Sequence, residues 1–203
     1  MAEHARVRIG ILALQGDVSE HATVLESLGA NPVIVRLPMD AAFLDGLVIP
    51  GGESTTMSML LESSGLRGEI EKMAADGLPM LGTCAGMILL AKEVLDGRPD
   101  QVSFGAIDIA VRRNAFGRQL ESFETDLAVK GVPGAMHAVF IRAPLVERAG
   151  DKVEVLASVT SGPGAPPRPV VCAQGPVLVA AFHPELAGDT RLHELFLQRI
   201  GVR

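Results

Sequence analysis

The first half of the 203-residue chain switches repeatedly between short apolar runs and amphipathic stretches, and this alternation limits the possible folds more than any other feature. "VRIGILAL" (7–14), "PVIVRL" (32–37), "GLVIP" (46–50) and "LPMLGT" (78–83) are continuous apolar runs of strand length, as expected where both faces of a sheet are covered. Between them, "DVSEHATVLESLG" (17–29), "STTMSMLLESSG" (54–65) and "LRGEIEKMAADG" (66–77) carry helical spacing and end in glycine. A further helix is expected over "AGMILLAKEVL" (85–95). Strands alternating with helices predict an α/β fold: a three-layer, open, mostly parallel sheet with helices on both faces.

The middle of the chain differs. "FGAIDIAVRRN", "SFETDLAVKG" and "MHAVFIRAP" lack helical spacing and are β-rich, which predicts an antiparallel extension of the sheet. "KVEVLASV" and "PVVCAQ" read as strands on either side of a Pro/Gly-dense loop (160–169). "PVLVAAF" (176–182) is a last strand and "DTRLHELFLQRIG" (189–201) a closing helix. No repeat or linker interrupts the chain, so residues 1–203 are expected to form one domain.

Composition excludes several function classes. The formal charge is −6 with no Lys/Arg block, and aromatics make up 3% with no Trp or Tyr. A nucleic-acid partner would need the opposite charge and stacking platforms. Two cysteines, Cys84 and Cys172, are too few for a disulfide framework and lack metal-ligand spacing. The six-residue apolar run Ile9–Leu14 reads as a strand rather than a signal peptide, and no run has membrane-spanning length. A cytoplasmic protein without metal or membrane association is the expectation.

Cys84 lies in "GTCAG", a Gly-x-nucleophile-x-Gly pattern between an expected strand and an expected helix. That is the setting of a nucleophile elbow. Gly82 and Gly86 would lack a Cβ because the turn is too tight to hold one, and the thiol would project at the carboxyl end of the strand. The following helix turns its positive end toward the thiol, and the N–H of Ala85 would be free to meet a developing oxyanion. The bland alternative is a small buried cysteine in a strand-to-helix turn.

A nucleophilic cysteine needs a base, and the base needs orientation. Of five histidines, His4 falls near the amino end, and His21 and His193 fall on amphipathic helices, where solvated or half-buried roles are expected. His137 lies in a β-rich segment, where a structural role is expected. His183 directly follows the apolar strand and opens "HPEL". Positions i and i+2 of extended chain share a face, so Glu185 can hold the His183 ring. The alternative is a strand-ending turn with two solvated polar residues. "PGGEST" (50–55) forms another expected strand-to-helix turn, either an oxyanion loop or a plain Gly-rich turn. It lacks the Gly-Lys-Ser/Thr ending of a phosphate-binding P-loop.

Together, "GTCAG", "FHPE" and "PGGES" resemble the triad-type (class I) glutamine amidotransferases, whose sheet is flavodoxin-like. "LALQGDVSEH", "PGGESTTM", "RNAFGRQLESFE" and "VFIRAP" narrow the resemblance to the glutaminase subunits of pyridoxal 5′-phosphate synthase, over nearly the whole chain. The resemblance implies that Cys84 is the nucleophile, His183 the base and Glu185 its orienting carboxylate. It also implies that Gly51, Gly52, Glu53, Arg118, Ile141 and Arg142 bind glutamine, that Gly52 and Ala85 supply the oxyanion N–H groups, and that Gln15 responds to the partner. The implied partner is a synthase subunit, of the PdxS type, in a large hetero-oligomer; no cofactor is implied for this chain. The Pro-rich loop departs from the family pattern but lies away from every motif. Two alternatives stand beside this reading: a cysteine hydrolase or DJ-1-like deglycase on a similar sheet, and a non-catalytic docking subunit.

Overall fold

A computed structural model describes residues 6–113, 122–160 and 164–201. The parallel core comprises β1 (Arg8–Leu12), β2 (Asn31–Val35), β3 (Gly46–Ile49), β4 (Met80–Thr83) and β12 (Val177–Ala180). Outside β12 run β10 (Glu154–Val159) and β11 (Arg168–Gln174), giving a seven-stranded sheet in the order β10-β11-β12-β4-β3-β1-β2. The β1, β3, β4 and β12 contacts are parallel, whereas β10-β11 and β11-β12 are antiparallel. Every residue of β3, β4 and β12 is buried, as their uninterrupted apolar sequences require.

The helices are α1 (Val18–Ser27), α2 (Ser54–Ser64), α3 (Leu66–Ala75), α4 (Ala85–Leu90) and α5 (Arg191–Ile200). The Gly65 expected to end α2 does so in a left-handed conformation, φ 75°, and opens α3 directly. Among the described residues, no helix is long and apolar enough to cross a membrane.

Two sequence expectations are corrected. The helix expected to Leu95 stops at Leu90, and Ala91–Val94 form β5, which pairs with β6 (Ile107–Arg112). The helix-forming Ala-Lys-Glu run loses to this pairing, an instance of tertiary contact overriding weak local preference. Nor do the middle segments extend the main sheet. β5, β6 and β9 (Leu145–Ala149) form a three-stranded sheet, while β7 (Ser122–Ala128) and β8 (Ala135–Ile141) form a hairpin. The antiparallel extension comes from β10 and β11 instead.

The hairpin is anchored by its aromatic residues. Phe140 of β8 stacks on Phe123 of β7 at 4.4 Å and meets Phe182, just beyond β12, at 5.4 Å. Phe140 and Phe182 are fully buried. The His183 N–H also donates to the Val139 carbonyl at 3.0 Å, so the hairpin is stitched to the end of the central sheet where β12 runs out.

Candidate active site

Sheet register brings the site together. Thr83 of β4 pairs with Ala180 of β12, and the Cys84 N–H donates to the Ala180 carbonyl at 2.8 Å. Cys84 and His183 therefore leave neighbouring parallel strands at the same carboxyl edge, where open α/β sheets hold their ligands. The loops after β1 and β3 reach that edge as well. One cleft is lined by Gly16, Asp17, Gly52, Glu53, Ser54, Cys84, Ile88, Arg113, Ile141, Arg142 and His183.

Cys84 adopts φ 49°, ψ −106°, a conformation that residues with a Cβ rarely hold unless their surroundings enforce it. The enforcement is steric. A Cβ on Gly86 would fall 1.9 Å from the Ile49 carbonyl oxygen, and one on Gly82 would fall 2.7 Å from the Gly86 backbone. Both glycines are thus required by the packing of the elbow against β3 and against itself. The thiol is nearly buried and lies 3.9 Å from the Ile141 carbonyl oxygen. Ala85 is the first residue of α4, so its N–H has no acceptor within the helix.

His183 and Glu185 meet, with Nδ1 to Oε1 at 2.8 Å, but across a turn rather than along the expected extended chain. Glu185 belongs to a 3-10 turn (Pro184–Ala187), its side chain fully shielded from solvent. Burial by itself would lower the His183 pKa; hydrogen bonding to Cys84 and Glu185 outweighs it and raises the value to about 10. The ring therefore favours the protonated form, consistent with a proton held between thiol and carboxylate. Gly51 makes room for this ring: a Cβ there would sit 2.3 Å from His183 Cε1.

The loop after β3 is held from beneath. Gly52 has φ 145°, and a Cβ on it would meet Gln15 Oε1 at 2.9 Å. That same oxygen accepts the Glu53 N–H at 2.7 Å. The Glu53 carboxylate caps α2, accepting from the N–H groups of Thr55 (3.1 Å) and Thr56 (2.7 Å). Partial burial raises its pKa, but these bonds prevail and lower it.

Of the residues implied by resemblance, Cys84, His183, Gly52, Glu53, Ile141 and Arg142 line the cleft, Glu185 and Gly51 sit directly behind His183, Ala85 follows Cys84, and Gln15 braces the loop. Arg118 lies outside the described residues, as does His4. Arg142 also has positive φ, 43°.

Sequence reasoning missed four residues. Arg113 lines the cleft with its guanidinium bonded to Thr55 Oγ1 at 2.7 Å. Asp17 brings a carboxylate oxygen 3.7 Å from His183 Nδ1. The donor atoms of Asp17, His183 and Glu185 lie within 4.8 Å of one another, close enough to share a cation, but His183 Nδ1 is already engaged with Glu185. His21 and His193, expected to be solvated or half-buried, are fully buried and bonded to each other at 2.9 Å. Asp17 and His21 were discoverable in the "QGDVSEH" run, which helical periodicity assigned to an ordinary amphipathic face. His137 is exposed, between Glu124 and Asp126 at 3.0 Å each.

A parallel sheet with a strained cysteine elbow facing a His-Glu pair defines the glutamine amidotransferase class. A crystal structure of a glutamine amidotransferase superposes with TM-score 0.86 at 47% identity, covering 96% of this chain and 99% of its own. A glutamine amidotransferase from Thermotoga maritima shares the fold at TM-score 0.63 and 14% identity, over 98% of this chain and 85% of its own. A model of the SNO glutamine amidotransferase family matches residues 11–202, and the chain belongs to that family. Pyridoxal 5′-phosphate synthase subunit PdxT from Parafrankia sp. (strain EAN1pec) is 58% identical, over 94% of this chain and 92% of its own. The protein of the same name from Mycobacteroides abscessus is also 58% identical, over 95% and 96%.

Proposed function

We infer that this chain is the glutaminase subunit of a pyridoxal 5′-phosphate synthase, acting in the cytoplasm as a single amidotransferase domain over residues 1–203. The observation that carries the reading is the strained Cys84 elbow opening on the same cleft as the His183–Glu185 pair. Cys84 Sγ attacks the side-chain amide carbon of L-glutamine, and the C–N bond breaks as His183 gives its proton to the departing ammonia. Water, deprotonated by His183, then attacks the thioester; the C–S bond breaks, glutamate leaves and the thiol is restored. The N–H groups of Gly52 and Ala85 are the proposed donors to the tetrahedral oxyanion. Glu185 orients the imidazole and stabilises its protonated form.

Gly51, Gly52, Glu53, Ile141 and Arg142 are the proposed walls of the glutamine site. Arg118 is retained from the family resemblance, and Arg113 joins it because it lines the cleft. A planar guanidinium suits the α-carboxylate of the substrate. Gln15, bound to the Glu53 N–H, is placed to transmit a change in the oxyanion loop when the partner docks. The ammonia is delivered to the synthase subunit within a large hetero-oligomer; the 58%-identical relatives, each named as a pyridoxal 5′-phosphate synthase subunit, support such a partner. The deciding experiment is glutamine hydrolysis by this chain with and without that subunit. A low basal rate that rises on addition supports the reading. No ammonia under either condition, or hydrolysis of aldehyde adducts instead, overturns it.

A further inference from the structure

Behind the His183–Glu185 pair lies a second pair of imidazoles to which the proposed mechanism gives no role. His21 of α1 and His193 of α5 are both completely buried, and their rings meet with Nδ1 of His21 2.9 Å from Nε2 of His193. His21 Nε2 lies 3.5 Å from Glu185 Oε1 and 3.4 Å from Thr83 Oγ1, on the residue just before Cys84. One small cluster thus ties together two helices, the strand that carries the nucleophile and the turn that carries the carboxylate.

The proton positions follow from which ring nitrogen has no partner. His193 Nδ1 is buried without a hydrogen-bond partner. Its neighbour Asp189 is committed to Arg191, at 2.9 Å and 2.5 Å. An orphaned buried N–H costs more than an orphaned ring lone pair, so His193 carries its proton on Nε2 and donates it to His21 Nδ1. His21 must then be protonated on Nε2, facing Glu185 and Thr83. Burial first, then repulsion among the imidazoles, holds the His21 pKa well below its usual value. Burial likewise lowers that of His193 to about 4. Both rings therefore act as neutral, aligned N–H dipoles.

We propose that His21, set by His193, is a positioning residue that presents its Nε2–H to Glu185 Oε1 and so fixes the carboxylate as the anionic acceptor for His183. Glu185 Oε1 then faces two imidazoles: it is hydrogen-bonded to His183 Nδ1 at 2.8 Å and lies 3.5 Å from His21 Nε2, which also has Thr83 Oγ1 at 3.4 Å. The second donor restrains the carboxylate rotamer and opposes transfer of the His183 proton onto it. This role rests on the glutaminase reading for its kinetic consequence; the tautomers themselves do not.

Long-range 1H–15N correlation of the imidazoles in the isolated chain is the direct test. The expected result is neutral Nε2–H tautomers for both His21 and His193 at pH 7. An Nδ1–H tautomer at either residue overturns the proposal, whatever the enzyme's activity. The kinetic arm uses the synthase-activated complex. His21→Leu is expected to lower kcat by about 10–100-fold with KM unchanged, the cost of a slightly misplaced catalytic group. His21→Gln, whose amide nitrogen can occupy the Nε2 position, should recover most of that loss. In a Glu185→Ala background the His21→Leu effect should vanish, because the acceptor is gone. A folded His21→Leu protein with unaltered kcat, or an equal effect in both backgrounds, defeats the proposal. If the Cys84→Ala protein still released ammonia, the glutaminase reading would fail instead, and the tautomer result would stand apart from it.

Discussion

His183 and His137 are each held by carboxylates at 2.8–3.0 Å, and each has its pKa raised, yet their surroundings are opposite. The His183 side chain is 8% exposed and sits at the mouth of a cleft beside a thiol; that of His137 is 48% exposed on the outer face of the β7–β8 hairpin. In both cases a carboxylate partner favours the imidazolium. The difference is what else the ring can reach. His183 has a nucleophile, a cleft and a shielded carboxylate, whereas His137 has two solvated acids. A raised histidine therefore marks chemistry here only where geometry supplies a reacting partner.

The strongest way to break this contrast is to remove each side of it. Cys84→Ala and His183→Ala should each lower synthase-stimulated ammonia release by at least roughly 10⁴-fold, with circular dichroism unchanged. Gly51→Ala comes next. Its methyl would overlap the His183 ring, so kcat should fall by on the order of 100-fold, with a smaller loss of stability. Glu185→Gln should cost less than His183→Ala, by about tenfold or more, because it disturbs the ring's orientation rather than deleting the base. Equal losses would show that Glu185 does more than orient.

Acid titration sharpens the comparison from another side. His193 has its folded pKa lowered from 6.5 to about 4. Between those values the unfolded chain binds the extra proton, so stability falls as pH falls through this window, by about 3 kcal/mol in all. Urea melts at pH 7, 5.5 and 4.5 should record the decline, and His193→Gln should make it shallower while the share of His21, whose pKa is lowered too, remains. The raised groups run the other way: the contribution of His183 is complete below pH 6.5 and is lost as pH rises toward about 10. The smallest effect belongs to His137→Asn, expected to leave both ammonia release and the urea midpoint essentially unchanged. A clear loss of activity there would break the contrast outright.

The parallel half of the fold and the grouping of Cys84, His183 and Glu185 were legible because their signals are local. An apolar run followed by Gly-x-Cys-x-Gly, and a strand followed by His-Pro-Glu, each encode geometry within a few residues. The β insert was harder to read. Whether Ala91–Val94 finish a helix or begin a strand depends on β6, which lies beyond the intervening loop. His21 and His193 are further apart still, 172 residues along the chain, and nothing on either helix alone announces that the other ring will meet it. Arg113 was passed over for a different reason: two adjacent arginines close the same strand-like segment, and the direction of each side chain is settled only by packing.

Cys172 offers a practical consequence. It is wholly enclosed in β11, and burial pushes its thiol up to about 12, so at neutral pH it stays protonated and out of reach of reagents. Cys84, the other thiol of the chain, opens on the cleft. A thiol-directed electrophile shaped like glutamine should therefore label the folded protein at one position, and the mass increment would count functional sites in a preparation. Denaturation would reveal the second thiol and provide the internal standard. The chain thus carries its own active-site titration, with one thiol as the reporter and the other as the reference.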